Sequence, residues 1–149
     1  MSEIESTSRW LLRVTGAAGL GIYAIIIILW SLLVTGLDNK GTNEPLLQSL
    51  NEYAFMGYGL FVAGVLIYLA WRVTSSDKPF GVKVLIFPLV VLAFHSWVVI
   101  LRAEGEALVY LSISHLPLLV GIVLLRYYIW SSSKLAHNKS PQPTAYGGG

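Results

Sequence analysis

The sequence predicts an all-α membrane protein in which four transmembrane helices form an up-down bundle with both termini in the cytoplasm. Three observations lead there. Hydrophobic residues make up 55% of the chain and charged residues only 12%, where an ordinary soluble domain has roughly a quarter charged. The apolar residues come in long runs rather than at the spacing of a half-wet helix, which marks bilayer spans rather than a soluble core. Finally, the basic residues sort by side. Arg9, Arg13, Arg72, Lys78, Lys83, Arg126, Lys134 and Lys139 fall on the face shared by both termini and the middle loop, leaving only Lys40 and Arg102 on the other. Positive charge stays on the cytoplasmic side during insertion, so the ends are expected inside.

The runs occupy residues 15–36, 55–71, 81–101 and 107–129, each near the length of about 20 residues that a hydrocarbon core requires. Residues 1–14 are read as a cytoplasmic N-terminal segment, and 15–131 as the membrane domain. The first run follows Arg9 and Arg13 as a signal peptide would, but it is too long for a usual signal core and lacks a small-residue cleavage site, so it is read as a retained span. Before the second run, Gly41, Thr42 and Asn43 break the chain and Pro45 suits a first helical turn, so a helix is expected to start there. The inner connection "VTSSDKP" and the outer one "RAEGE" are short, which favours antiparallel neighbours.

Aromatic amphiphiles fall where the interfaces belong: Trp10, Trp71, Tyr127, Tyr128 and Trp130 inside, Tyr53, Trp97 and Tyr110 outside. Small residues suited to close helix packing recur as Ala17, Gly21 and Ala24 in the first run and Gly57 and Gly64 in the second. They would serve packing within the chain or a homo-oligomer. Pro88 and Pro117 read as tolerated kinks. From residue 132 the chain turns polar and rich in Pro, Gly and Ser, the composition of a disordered tail. Its ending, from Asn138 onward, resembles the read-through tails of some integron-cassette products over about ten residues, which says nothing of activity; the expected location is a bacterial inner membrane.

Function classes narrow mainly by what is missing. Cysteine is absent, which removes thiolate catalysis and cysteine metal sites. A net charge of +2, scattered rather than clustered, gives no footprint for nucleic acid. In size and span count the chain resembles the small multidrug-resistance transporters. It departs from them at the decisive point, because no Asp or Glu lies deep within a run to couple transport to protons. Ser96 and Ser114, beside the histidines, are expected on other helix faces, so no nucleophile–base pair is evident.

The residues that stand out are His95 and His115, at similar depth on either side of the outer turn. An imidazole in the bilayer needs a polar partner, so both faces are expected to turn inward. Four readings follow. The pair could ligate haem b, although adjacent helices 8 to 10 Å apart leave little room for a porphyrin. It could share a metal ion with an outer acid, without any diagnostic spacing. It could line an outer pocket for a quinone or similar amphiphile together with Tyr58, Trp97, Tyr110 and Ser112. Or each imidazole could bond a serine, tyrosine or carbonyl of a neighbouring helix and do no more. Arg102 is expected to pair with Glu52 or a loop acid at the outer surface. Overall function is expected to be that of a non-enzymatic membrane subunit working through partner contacts. A haem- or quinone-binding redox subunit and an uncoupled transporter or channel are the alternatives.

Overall fold

The computed structural model describes residues 3–37, 45–76, 80–102, 105, 109 and 112–138, with side chains described for 6–33, 53–76, 80–101, 105, 109 and 112–134. Four long helices make up nearly all of this: α1 (Glu3–Leu37), α2 (Pro45–Ser75), α3 (Ile86–Arg102) and α4 (Leu116–Asn138). A 3-10 turn, Val82–Leu85, leads into α3. Helix is the expected solution, because in hydrocarbon every backbone N–H and C=O must be satisfied within its own segment. Four stretches are long and apolar enough to cross a membrane: Ser6–Leu33, Tyr53–Ser75, Val82–Leu101 and Ser112–Lys134.

Several boundaries differ from the sequence reading, each for a local reason. Helix α1 starts well before residue 15 because Arg9 and Arg13 find partners inside the protein. Arg9 Nη2 donates to Ser132 Oγ at 2.6 Å, and its guanidinium lies 5.9 Å from the centre of the Tyr128 ring. Arg13 donates to the carbonyls of Ser76 at 2.9 Å and Thr74 at 3.2 Å. These carbonyls sit at the end of α2, where the helix leaves its last acceptors without intrahelical donors. Residues 109 and 112–114 are helical, with a turn at His115 ahead of helix α4, which runs from Leu116 to Asn138, beyond residue 132 where a disordered tail was expected. There Ser131, Ser132 and Ser133 turn their hydroxyls back onto the carbonyls of Tyr128 and Trp130, so the polar run carries its own acceptors along the helix. Residues beyond Asn138 lie outside those described.

Both prolines stand where helical continuity changes, Pro88 just after the 3-10 turn and Pro117 just after the turn at His115. Pro88 is the third residue of α3 and Pro117 the second of α4, positions where a missing N–H costs nothing because first-turn N–H groups lack intrahelical acceptors anyway. Pro45 opens α2 in the same way, as the sequence suggested. Gly105, between α3 and α4, takes φ +57°, a left-handed conformation that glycine adopts without strain.

Helix α1 is the hub. Its buried face, Ala17, Leu20, Tyr23, Ala24 and Ile27, meets Val62, Ala63 and Leu66 of α2 and Leu118, Ile122 and Leu125 of α4 in one continuous core. Against α4 the two backbones nearly touch: a Cβ added at Gly19 would lie 2.5 Å from the Pro117 carbonyl oxygen and 2.9 Å from Gly121 Cα. Against α2 the close approach is Gly59 on Ser31. The glycines picked from the sequence are different ones. Ala17 and Ala24 are buried, but Gly21, Gly57 and Gly64 face open space. Sequence spacing placed small residues on a common stripe without revealing which stripe faces a neighbour.

At the end marked by Arg9 and Arg13, Phe80 stacks on Tyr128 with ring centres 5.2 Å apart. Tyr128, read as an interfacial aromatic, is therefore a core residue, 9% exposed. Trp10, Trp71, Tyr127 and Trp130 remain exposed, as ring-anchoring residues at a membrane surface would be. Lys134 Nζ lies 3.9 Å over the Trp130 ring, an arrangement in which the aromatic face shields the ammonium near an apolar surface.

Candidate functional site

The polar centre of the molecule is built from three helices. Tyr23 comes from α1, Tyr58 from α2 and His95 from α3. Both nitrogens of the His95 ring are engaged: Nδ1 lies 2.7 Å from Tyr23 Oη and Nε2 lies 2.9 Å from Tyr58 Oη. His115, in the turn between residues 112–114 and α4, completes the cluster. Its ring centre is 6.1 Å from that of His95 and 5.6 Å from that of Tyr23.

Each placement has a local cause. His95 sits seven residues after Pro88, on the same face of α3, and Pro88 is fully buried, so this face turns inward. Tyr23 lies on the α1 stripe with Leu20, Ala24 and Ile27, the stripe that forms the core. Tyr58 precedes Gly59, whose contact with Ser31 brings α2 against α1 at this level. Counted at helical rise from the ends of the apolar stretches opposite Arg9 and Arg13, Tyr58 lies about 7.5 Å in, His95 about 9 Å and Tyr23 about 15 Å. The cluster thus lies towards the end of the bundle opposite Arg9 and Arg13.

Exposure is graded along the hydrogen-bonded row. Tyr23 is 2% exposed, His95 is half-buried, and Tyr58 is 37% exposed. Aromatic rings meet edge-on along the α2–α3 junction. Tyr58 meets Phe94 edge-on at 6.0 Å, and Phe61 meets Phe87 edge-on at 6.5 Å. Helices α2 and α3 do not pack backbone to backbone as α1 does with α2 and α4. They meet through these rings and the Tyr58–His95 bond.

The residues named from sequence fare unequally. His95, His115 and Tyr58 come together. Trp97, two residues beyond His95, is 63% exposed and turned to the outside of α3, as the helical period requires. Ser112 is exposed in the turn before His115. Ser114, expected on another face from His115, instead lies 3.5 Å from its Nδ1, because the chain is not a continuous helix through residue 115. Tyr110 and the side chains of Glu52 and Arg102 lie outside the described residues, as does the proposed outer ion pair. Tyr23 was missed. Its signal was present, however: a phenol in the middle of an apolar run, far from either interface, needs a hydrogen-bond partner.

The donor set favours holding a hydrogen-bonding molecule over ligating a metal. Ligation through His95 would require a ring nitrogen to leave a tyrosine hydroxyl, and the Tyr23 ring stands within 6.0 Å of both imidazoles, where a porphyrin would need room. Among the described residues no three of His, Cys, Asp and Glu gather as a metal shell. Compared with known protein families, with curated proteins and with solved structures, the chain matches none.

Proposed function

We propose that this is a non-enzymatic multi-pass protein of the bacterial inner membrane, an accessory or partner-binding subunit whose four spans run up and down with both termini in the cytoplasm. Support for the arrangement comes from the end where Arg9, Arg13, Thr74, Ser76, Phe80, Tyr128 and Ser132 meet, which is also where most basic residues fall. The partner reading rests on unequal coverage. The first span is 44% buried within the chain but the third only 17%, and α3 presents Phe94, Trp97, Val98, Ile100 and Leu101 outward. An aromatic-rich helix held at few points can accept a further helix without disturbing the core. Co-purification in mild detergent tests this: a recurrent companion chain or a homo-oligomer is expected, and a uniformly monomeric, partner-free species refutes it. Reporter fusions at residues 1, 78 and 149 should all report cytoplasm, and an outer signal from any of them overturns the topology.

The Tyr23–His95–Tyr58 row favours a second reading, in which its exposed end holds a small lipid-soluble molecule such as a quinone. A haem b is the weaker version, for the reasons of ring-nitrogen engagement given above. Absorbance of the purified protein from haem-replete cells separates the two, since only the haem version gives a Soret band.

A further inference from the structure

The three hydroxyl and imidazole groups do not form a symmetric row, because only one end is buried. A neutral imidazole carries one N–H and one bare nitrogen, so it donates to one tyrosine and accepts from the other. Two directions are possible. In the first, His95 Nδ1–H donates to Tyr23 Oη, and the Tyr23 hydroxyl proton must find another acceptor. Tyr23 is 2% exposed, and among the described residues its hydroxyl has one hydrogen-bond partner, His95 Nδ1. That direction would strand a buried donor, at a cost of about 1–3 kcal/mol. In the second, Tyr23 O–H donates to Nδ1 and Nε2–H donates to Tyr58 Oη. Both hydrogen bonds of the row are then made with the buried Tyr23 proton engaged, and the proton left over is the hydroxyl proton of Tyr58, at the exposed end.

We infer that the Tyr58 hydroxyl is an outward-directed hydrogen-bond donor where α2 meets α3, and that its ligand is a neutral, lipid-soluble molecule offering a carbonyl oxygen. The inference deepens the ligand reading above and is independent of the partner reading. Its direction is set by burial at Tyr23, two groups away. Donors in series polarise one another, so a hydroxyl that already accepts from Nε2–H donates more strongly. At this depth water is scarce, and a hydroxyl without an acceptor is costly in hydrocarbon. The side chains along this junction carry no formal charge: Phe94 meets Tyr58 edge-on and Phe61 meets Phe87, surroundings that suit a flat or acyl ligand and disfavour an ionic one. Two molecules share the chemistry, a quinone ring carbonyl and the ester carbonyl of a glycerolipid.

The test uses the full chain in nanodiscs of ether-linked lipid, which lack ester carbonyls, with a decyl-tailed benzoquinone as probe in one arm and a diester phospholipid doped into the ether lipid in the other. Infrared difference spectra should show a carbonyl stretch shifted to lower frequency in at least one arm with the wild-type protein and unshifted with Tyr58→Phe. The arm that shifts identifies the source. In that arm Tyr58→Phe should bind about five- to tenfold more weakly, the loss of one hydrogen bond. Carbonyl bands unshifted in both arms with the wild-type protein overturn the proposal without reference to any variant. So does equal binding by wild type and Tyr58→Phe. A companion chain found by co-purification alongside either result leaves the partner reading standing, so the two failures are distinguishable.

Discussion

The seam between α1 and α4 and the junction between α2 and α3 hold helices together by opposite means. At the first, Gly16, Gly19 and Gly121 remove side chains so that backbones meet, and Leu20, Leu118, Ile122 and Leu125 fill the flanks. At the second, backbones stay apart and side chains bridge the gap through Tyr58, His95, Phe94 and the Phe61–Phe87 pair. In lipid the tails are as apolar as leucine, so helices associate through close van der Waals packing or interhelical hydrogen bonds rather than by escaping water. The protein uses the first means for its hub and the second between α2 and α3. A backbone seam tolerates no added atom, whereas a side-chain bridge can open.

Substitutions should separate the two seams by size of effect. Gly19→Ala should be the most damaging, because its Cβ meets the backbone of Pro117 and Gly121, which cannot rotate away. A loss of about 3 kcal/mol is expected in unfolding from mixed micelles, the upper end for overpacking. A loss under about 1 kcal/mol would mean that the seam opens more easily than its geometry implies. His95→Leu should cost about 2 kcal/mol, since it leaves the buried Tyr23 hydroxyl without an acceptor. The double variant with Tyr23→Phe should recover part of that loss, and failure to recover would place the cost in packing instead. Tyr58→Phe should cost under about 1 kcal/mol, because its end of the row is exposed. Smallest of all should be Gly57→Ala and Gly64→Ala, where an added Cβ meets nothing. These should be neutral or stabilising by up to about 1 kcal/mol. A shift in oligomeric state on size-exclusion chromatography with either of them would instead make this stripe a homo-oligomer contact.

How much was legible beforehand differs between fold and site. Span number could be read because length and hydropathy reflect the bilayer, a solvent that acts on each segment separately. Span ends were less readable: Arg9 and Arg13 looked like flanks until Ser132, Thr74 and Ser76 appeared as their partners. In the site, His95, His115 and Tyr58 were recognisable as polar groups in apolar surroundings. Trp97 was drawn in by proximity in sequence, although two residues along a helix lead to the far side. Tyr23 escaped because its partner lies 72 positions away, and a single residue in an apolar run carries no mark of what crosses it.

From sequence alone came the all-helical class, the four membrane-long apolar stretches and the start of α2 at Pro45, since each depends on a residue's own hydropathy or backbone and on its nearest neighbours. Only the tertiary structure decided that α1 is the hub, that Gly16, Gly19, Gly59 and Gly121 make the close approaches while Gly21, Gly57 and Gly64 do not, and that Tyr23, His95 and Tyr58 form one hydrogen-bonded row. Rotation of a helix about its own axis leaves its composition and length unchanged but alters every contact. It is settled jointly by the neighbours, and so becomes visible only when the helices are seen together.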